Sequence, residues 1–434
     1  MIRRMTALVL SLVPALFGQQ SISPPLDDHQ LVLQLLQRVN ELEAEVKQLK
    51  GAAPNTMLAA VQTAPPPVTP IPVTPSQTTA SATPSGTMGS MPGMTLPDLL
   101  GLQFRGFADV GFLASTQKGA TNSNTSGAHP TFFDGPFNLF MTSRMNDQFS
   151  ALAEMLIEYG PTNSTSLDLE RLELHYTPSD YFNLTAGRFH SAIGYYNTTY
   201  HHASWLIPTV TRPFLFAFED QGGILPTHNV GLSAAGAIPS GALGLHYVAE
   251  FGNGRPAASV SQASLEQVQV AQSDKNRKAF NVAAYARPAA IPGLQVGFSV
   301  YEDHYYPAGL PKIGQTISDA YVSYHPSGFE FTGEFLELRH DLEGAHKTFH
   351  IPGFYSILSK DIGRGVKPYL SWEYINVPRN EPLFGTSIGL RHGPSTGVRY
   401  DFTDFAAFKL EYYRLIRRGQ ADVNGARADL AFTF

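Results

Sequence analysis

From residue 99 to the C-terminus, short segments alternate between apolar and polar residues with the two-residue period of half-buried β-strands. In the first segment, apolar or small residues from Leu102 to Phe112 occupy every second position, and Gln103, Arg105 and Asp109 fall between them. About sixteen such segments follow one another, each near the length that a tilted membrane strand requires. The pattern predicts an all-β chain that folds as a transmembrane antiparallel β-barrel of about sixteen strands.

The connections between these segments also follow a pattern. Short turn sequences at 145–148, 177–180, 239–241, 326–328 and 402–404 alternate with longer connections. Membrane barrels have short turns at the periplasmic end and longer loops outside, whereas a soluble β-sandwich has no reason for such regularity. We therefore expect one barrel domain over residues 99–434, with a soluble all-β fold as the alternative.

The last segment gives the clearest assignment of the two faces. Apolar residues from Ala426 to Phe434 occupy the outward positions, while Arg427, Asp429 and Thr433 fall inward. This segment resembles the C-terminal strand of bacterial outer-membrane proteins, which ends on an aromatic residue. The resemblance implies that Phe434 belongs to the signal read during barrel insertion.

Three segments precede the barrel. Residues 1–20 are typical of a signal peptide, since Arg3 and Arg4 precede an apolar run that reaches Phe17. Residues 27–50 carry a Val/Leu heptad seam that predicts a periplasmic coiled coil and therefore a homo-oligomer. The seam alone favours two strands, and a trimeric barrel would require three; a lone amphipathic helix is the alternative. Residues 51–97, rich in Pro, Thr and Ser, predict an extended linker.

Composition excludes several function classes. A hydrophobic content of 43% and a mean hydropathy of -0.11 exclude a polytopic helical membrane protein. The net charge of -6, with scattered Lys and Arg residues, predicts no nucleic-acid partner. Because the chain contains no cysteine, disulfides, thiolate metal sites and cysteine catalysis are all excluded.

Charged residues at inward positions of the alternation are the candidate pore lining. Charges that face a water-filled lumen keep their hydration and can set the selectivity of a channel. The alternative is that they only neutralise one another across neighbouring strands. The candidates are Arg105, Arg144, Glu154, Arg188, Arg399, Lys409, Glu411 and Arg427.

The connection between His190 and His228 is unusually long and rich in aromatic residues, which favours a functional loop over a disordered one. The adjacent histidines lack further ligands at a suitable spacing, so no metal and no cofactor are predicted. A lipid hydrolase using Ser204 with these histidines is an alternative, although no nucleophile motif accompanies them. The candidate constriction residues are Tyr195, Tyr196, His201, His202, Trp205, Glu219 and Asp220.

The order of signal peptide, coiled coil, linker and barrel resembles bacterial porins of the phosphate-selective type. The resemblance covers the chain from about residue 99 and includes the short elements Gly187-Arg188-Phe189, 397–401 and 408–412. It implies a trimeric channel of sixteen strands whose third external loop folds into the lumen. The alternation gives no ladder of inward arginines and lysines, so phosphate is not predicted as the solute.

The function expected from these observations is passive diffusion of small hydrophilic solutes or ions through the outer membrane, without catalysis. A slight excess of acidic residues favours cations. The expected partners are the solutes, outer-membrane lipid, two further copies of the chain, and the cell wall if the coiled coil reaches it. A different class of function, an envelope tether or adhesin acting through the coiled coil, predicts a narrow or plugged barrel instead.

Overall fold

The computed structural model describes residues 102–116, 130–160, 164–200, 204–218, 223–254, 277–307 and 309–434. The predicted signal peptide, coiled coil and linker lie outside these residues. The strands are β1 Leu102–Ser115, β2 Thr131–Asp134, β3 Phe137–Arg144, β4 Phe149–Tyr159, β5 Thr165–Ser179, β6 Phe182–His190, β7 His228–Ile238, β8 Leu245–Gly252, β9 Ala279–Ala286, β10 Leu294–Tyr305, β11 Ile313–Tyr324, β12 Phe329–Leu342, β13 Lys347–Lys360, β14 Val366–Asn376, β15 Leu390–Asp401, β16 Ala406–Arg417 and β17 Val423–Thr433.

These strands form one closed antiparallel sheet. Each pairs with its neighbours in sequence, and β1 closes the barrel by pairing with β17. Both β2 and β3 pair with β1, so they are one strand interrupted at Gly135 and Pro136, and seventeen segments make sixteen barrel strands. Pro136 has no N–H to give to a ladder, which explains the interruption. The predicted barrel of sixteen strands is confirmed.

The alternation in β16 shows how the sequence separates the two faces of the wall. Phe408, Leu410 and Tyr412 are exposed on the outside, whereas Lys409 and Glu411 between them are buried inside. Apolar side chains suit contact with lipid, and charged side chains can lie only on the inner side, where polar partners are available. In the described parts of the chain, no helix is long and apolar enough to cross a membrane.

The two ends of the barrel differ in their connections. At one end, here called the turn end, neighbouring strands are joined by connections such as 145–148, 180–181 and 325–328. The opposite end, here called the loop end, carries the longest connections, 191–227 and 253–278. The connection 191–227 follows the fifth barrel strand and is the third at the loop end, as the sequence predicted.

Part of the barrel interior is an apolar core. On the inner wall, Ile317 of β11, Leu336 of β12, Ile351 of β13 and Tyr355 of β13 are almost completely buried. They pack against apolar side chains from the long connection 191–227 and from the connection 377–389. Burial of each side chain of this size stabilises the fold by about 1.5 to 3 kcal/mol. This half of the inner wall is therefore covered by protein and does not line water.

Candidate functional site

The connection between β6 and β7, residues 191–227, has its own short elements and a closed base. Its described residues include the helix α1 Tyr196–Thr199 and the 3-10 helices Ser204–Leu206 and Phe214–Phe216. The Ser191 N–H donates to the Thr227 carbonyl oxygen at 2.9 Å, which joins the two ends of the connection. The Asn197 amide donates to both carbonyl oxygens, Ser191 at 2.8 Å and Thr227 at 2.9 Å. We call this segment the inner loop.

Carboxylates on three strands of the barrel wall hold backbone N–H groups of the inner loop. Glu334 on β12 accepts from the Tyr195 N–H at 2.9 Å and the Tyr196 N–H at 2.6 Å. It also accepts from the Tyr355 hydroxyl group. Two further wall carboxylates act in the same way, namely Glu250 toward Ala192 at 3.0 Å and Glu373 toward Phe214 at 2.8 Å. A backbone segment inside a barrel needs such partners because its N–H groups must be satisfied away from bulk water.

Basic groups on β15 and β16 hold backbone carbonyl groups of the same loop. The Lys409 ammonium donates to the carbonyl oxygens of Ser204 at 2.6 Å and Thr209 at 3.0 Å, and pairs with Asp429 at 2.9 Å. The Arg399 guanidinium donates to the carbonyl oxygens of Trp205 at 2.6 Å and Ile207 at 3.0 Å. The inner loop is thus anchored at five strands around the wall, through carboxylates on β8, β12 and β14 and through basic groups on β15 and β16.

Aromatic contacts complete the attachment of the inner loop. Tyr196 is fully buried and stacks on Phe216, with 5.4 Å between ring centroids, and both rings meet Tyr355 edge to face. The guanidinium carbon of Arg391 lies 3.6 Å from the centroid of the Phe214 ring. Aromatic and cation–π contacts of this kind stabilise the loop in addition to the burial of apolar area. The inner loop is therefore a packed element of the interior.

Most of the candidate pore-lining residues face inward but are engaged with other protein groups. Lys409 is 0% exposed and Glu411 is 2% exposed, because Lys409 holds the inner loop and Glu411 accepts from Tyr369 and Arg427. Glu154 is likewise buried in an ion pair with Arg171. Arg105 is half-buried on β1.

Arg427 and Arg144 differ in their surroundings. Arg427 is half-buried and donates to the Thr211 hydroxyl oxygen of the inner loop at 2.7 Å. Arg144 lies at the turn end, where 74% of its side chain is exposed and it pairs with Asp147 at 3.0 Å. Arg144 therefore lies beside a short turn, at the end of the barrel opposite the inner loop.

The strand register does not place Arg188 inward as the alternation predicted. Arg188 pairs directly with Leu172 on β5 and with Val230 on β7, and Leu172 is exposed on the outer face. Paired residues of an antiparallel sheet share a face, so Arg188 has the outward parity. At its neighbour Gly187, φ is +136°, a conformation that favours glycine. This register does not support Arg188 as a pore-lining residue, because Arg188 continues the outward series of Phe182, Leu184 and Ala186.

The predicted constriction residues are only partly within the described chain. Tyr195 and Tyr196 are buried and Trp205 is half-buried, all within the inner loop. Burial raises the pKa of Tyr195 and Tyr196 above the ordinary value for tyrosine, because the charged form loses its hydration. His201, His202, Glu219 and Asp220 lie outside the described residues.

A second connection at the loop end, residues 377–389, also packs inward, and the sequence analysis missed it. Glu381 is buried and accepts from the backbone N–H groups of Leu383 at 3.0 Å and Phe384 at 2.5 Å. It also pairs with His340 of β12, with 2.8 Å between His340 Nδ1 and Glu381 Oε1. The signal in the sequence is the apolar pair Leu383-Phe384 in a connection where polar residues are expected. We call this segment the second inner loop.

Side chains able to bind metal and the Ser204 hydroxyl group have defined surroundings in the described part of the chain. No group of three or more His, Cys, Asp or Glu side chains there could hold a metal ion. The Ser204 hydroxyl group, the nucleophile of the hydrolase alternative, lies between Lys409, at 3.0 Å, and the Asp429 carboxylate. Its role in this geometry is to join the inner loop to the wall.

Comparisons with known proteins agree on the architecture. No protein-family model and no curated protein matches the sequence. Solved porin structures do match, among them the anion-selective porin from Comamonas acidovorans, with a TM-score of 0.55 at 10% identity over 77% of this chain and 99% of that chain. The chain has the porin fold.

Two further matches have the same character. The outer-membrane channel DcaP of Acinetobacter baumannii matches with a TM-score of 0.54 at 11% identity, over 77% of this chain and 97% of that chain. OmpF of Salmonella typhi, solved in complex with daunomycin, matches with a TM-score of 0.52 at 12% identity over the same shares. At such low identity the likeness shows the fold, and membership of the phosphate-selective type stays a prediction.

Proposed function

We propose that this porin-like chain forms a water-filled channel in the outer membrane for passive diffusion of small hydrophilic solutes or ions. The observation that carries the proposal is the closed barrel of sixteen strands with apolar residues outside and charged residues inside. A barrel of this strand number is too wide for wall side chains alone to fill. Outer-membrane location follows from the same apolar outer face.

We propose further that the inner loop forms the constriction of this channel. Its support is the set of hydrogen bonds that link one loop to β12 and to β16, on separate parts of the inner wall. A loop fixed in this way narrows the lumen without closing off every path along the wall. Arg105 and Arg427, both half-buried and inward, are the candidate pore-lining groups that best fit the remaining path.

The oligomeric part of the proposal is a homotrimer. Its support is the predicted coiled coil at 27–50 together with the porin fold of the barrel. We place the coiled coil in the periplasm, where it could contact the cell wall.

Channel activity is tested by adding the purified, folded protein to a planar lipid bilayer. The proposal predicts discrete and ohmic conductance steps, because a fixed aqueous path passes ions in proportion to voltage. Liposome swelling with neutral sugars of increasing size then gives the size limit for solutes. Folded barrels that insert into lipid without conductance steps and without swelling would contradict the proposal and favour the tether alternative.

A further inference from the structure

Two arginines face each other directly on the inner wall near the loop end. Arg391 of β15 pairs in register with Arg417 of β16, so the two side chains share a face. Arg399, eight residues along β15 at the same parity, is buried inside, which assigns this face to the interior. Like charges directly opposite each other destabilise a sheet unless something compensates them.

The described residues compensate this pair only in part, because Glu373 is the one carboxylate among them whose charge acts on Arg391. Within them, neither Arg391 nor Arg417 has a carboxylate oxygen within 4.0 Å, the distance that defines an ion pair. Arg391 instead lies over the Phe214 ring at 3.6 Å, and the Nε–H of Arg417 is buried without a hydrogen-bond acceptor. A buried and unmade hydrogen bond of a charged group is costly, and its usual explanation is a missing partner.

The two carboxylates near the pair also serve other partners. Glu373 accepts from the Phe214 N–H at 2.8 Å, and Glu411 accepts from the Tyr369 hydroxyl at 3.0 Å and from Arg427 at 3.3 Å. The negative charge of Glu373 and the positive charges of Arg427 and Arg417 all act on Arg391. Among the described residues, three arginines therefore face two glutamates, which leaves a positive surplus there beside the Arg391–Arg417 pair.

We propose that Arg391 and Arg417 form a binding site for a small oxyanion, a carboxylate or a phosphate group carried by a solute. Guanidinium groups offer paired N–H donors that match the oxygens of both anions. An anion between the two would neutralise the like-charge pair and satisfy the Nε–H of Arg417. The site lies near the loop end, where a solute entering from that side arrives first.

This inference rests on the proposed channel function and names the class of solute. The excess of acidic residues suggested a preference for cations, and this inference departs from it. The wall carboxylates nearest the inner loop accept hydrogen bonds from the loop backbone. Selectivity then depends on the few charges that remain without a protein partner.

The test compares the full-length protein with the variant R391Q/R417Q in planar bilayers. The matched control is R414Q, because Arg414 lies on the outer face of the same strand and pairs with Asp422 at 2.7 Å. Reversal potentials in a KCl gradient give the ratio of anion to cation permeability. Added inorganic phosphate and added acetate then report on binding through the decrease in chloride conductance.

The proposal predicts that R391Q/R417Q lowers the anion-to-cation permeability ratio by about threefold or more, while R414Q leaves it unchanged. Block by phosphate or acetate should weaken in parallel, and the anion that blocks more strongly identifies the oxyanion preferred. If the double variant does not assemble, R391Q and R417Q are each expected to produce part of the shift.

An unchanged permeability ratio and unchanged block in conducting variants would overturn the proposed site but leave the channel function standing. Absence of conductance in every form of the protein would overturn the channel function itself.

Discussion

At the scale of single residues, the charges inside the barrel mainly anchor the inner loop. Glu334 satisfies backbone N–H groups and Lys409 satisfies carbonyl groups, so a segment without regular structure can stay inside the wall. The sequence predicted that Lys409 faces inward. It could not predict the partner, because Ser204 lies 205 residues earlier in the chain and only the closed barrel brings the two together.

Replacing Lys409 by methionine tests this anchoring role. The variant keeps the length of the side chain but leaves Asp429 and the loop carbonyl groups without their donor. Removing one partner from a buried ion pair costs about 3 to 5 kcal/mol, so we expect the free energy of unfolding to fall by that amount. Urea unfolding in detergent micelles, followed by circular dichroism, measures it.

The matched control for that experiment is Lys360→Met, because Lys360 is exposed at the end of β13. We expect its effect to stay within about 0.5 kcal/mol, as is usual for surface substitutions. Equal and small effects of the two variants would show that Lys409 does not hold the loop.

At the scale of elements, the strands were predictable and the inward connections were only partly so. The alternation in β16 and β17 predicts both the strand and its faces, because each wall residue meets either lipid or the interior. Strand β2 was not predicted, because a segment of four residues is too short to show a two-residue alternation. The second inner loop was not predicted either, because the connection 377–389 is much shorter than the connection 191–227.

The second inner loop should depend on Glu381, which joins its backbone N–H groups to His340. We expect Glu381→Ala to release this loop, because a buried donor left unsatisfied costs about 1 to 3 kcal/mol and three donors lose their acceptor. Arg379 then offers a site for trypsin. Limited proteolysis of the folded protein, read by mass spectrometry, should show cleavage after Arg379 at least about tenfold faster than in the parent protein.

A suitable control for this release is Glu337→Ala, because Glu337 is a partly exposed residue of β12 that pairs with His350 outside the barrel. It should leave cleavage after Arg379 unchanged. Resistance of the Glu381→Ala variant to trypsin would mean that the apolar contacts of Leu383 and Phe384 hold the loop without the carboxylate.

At the scale of the whole molecule, the barrel has two unlike halves inside. The inner wall around β11 to β13 packs against the inner loops as an apolar core, while β15 to β17 carry Lys409, Arg399 and Arg427. The barrel was predictable from sequence because its longer strands show the local two-residue period. The filling of the interior was not, since it depends on contacts between distant segments.

The most direct test of the account is the single-channel conductance after excision of residues 195–222 from the inner loop. The lumen should widen where the loop now lies, so we predict a conductance roughly twofold or more above that of the parent protein. Deleting Gly419 and Gln420 from the exposed connection between β16 and β17 is the control, and it should leave the conductance unchanged. An unchanged conductance after the 195–222 excision, in a barrel shown by circular dichroism to be folded, would contradict the claim that the inner loop forms the constriction.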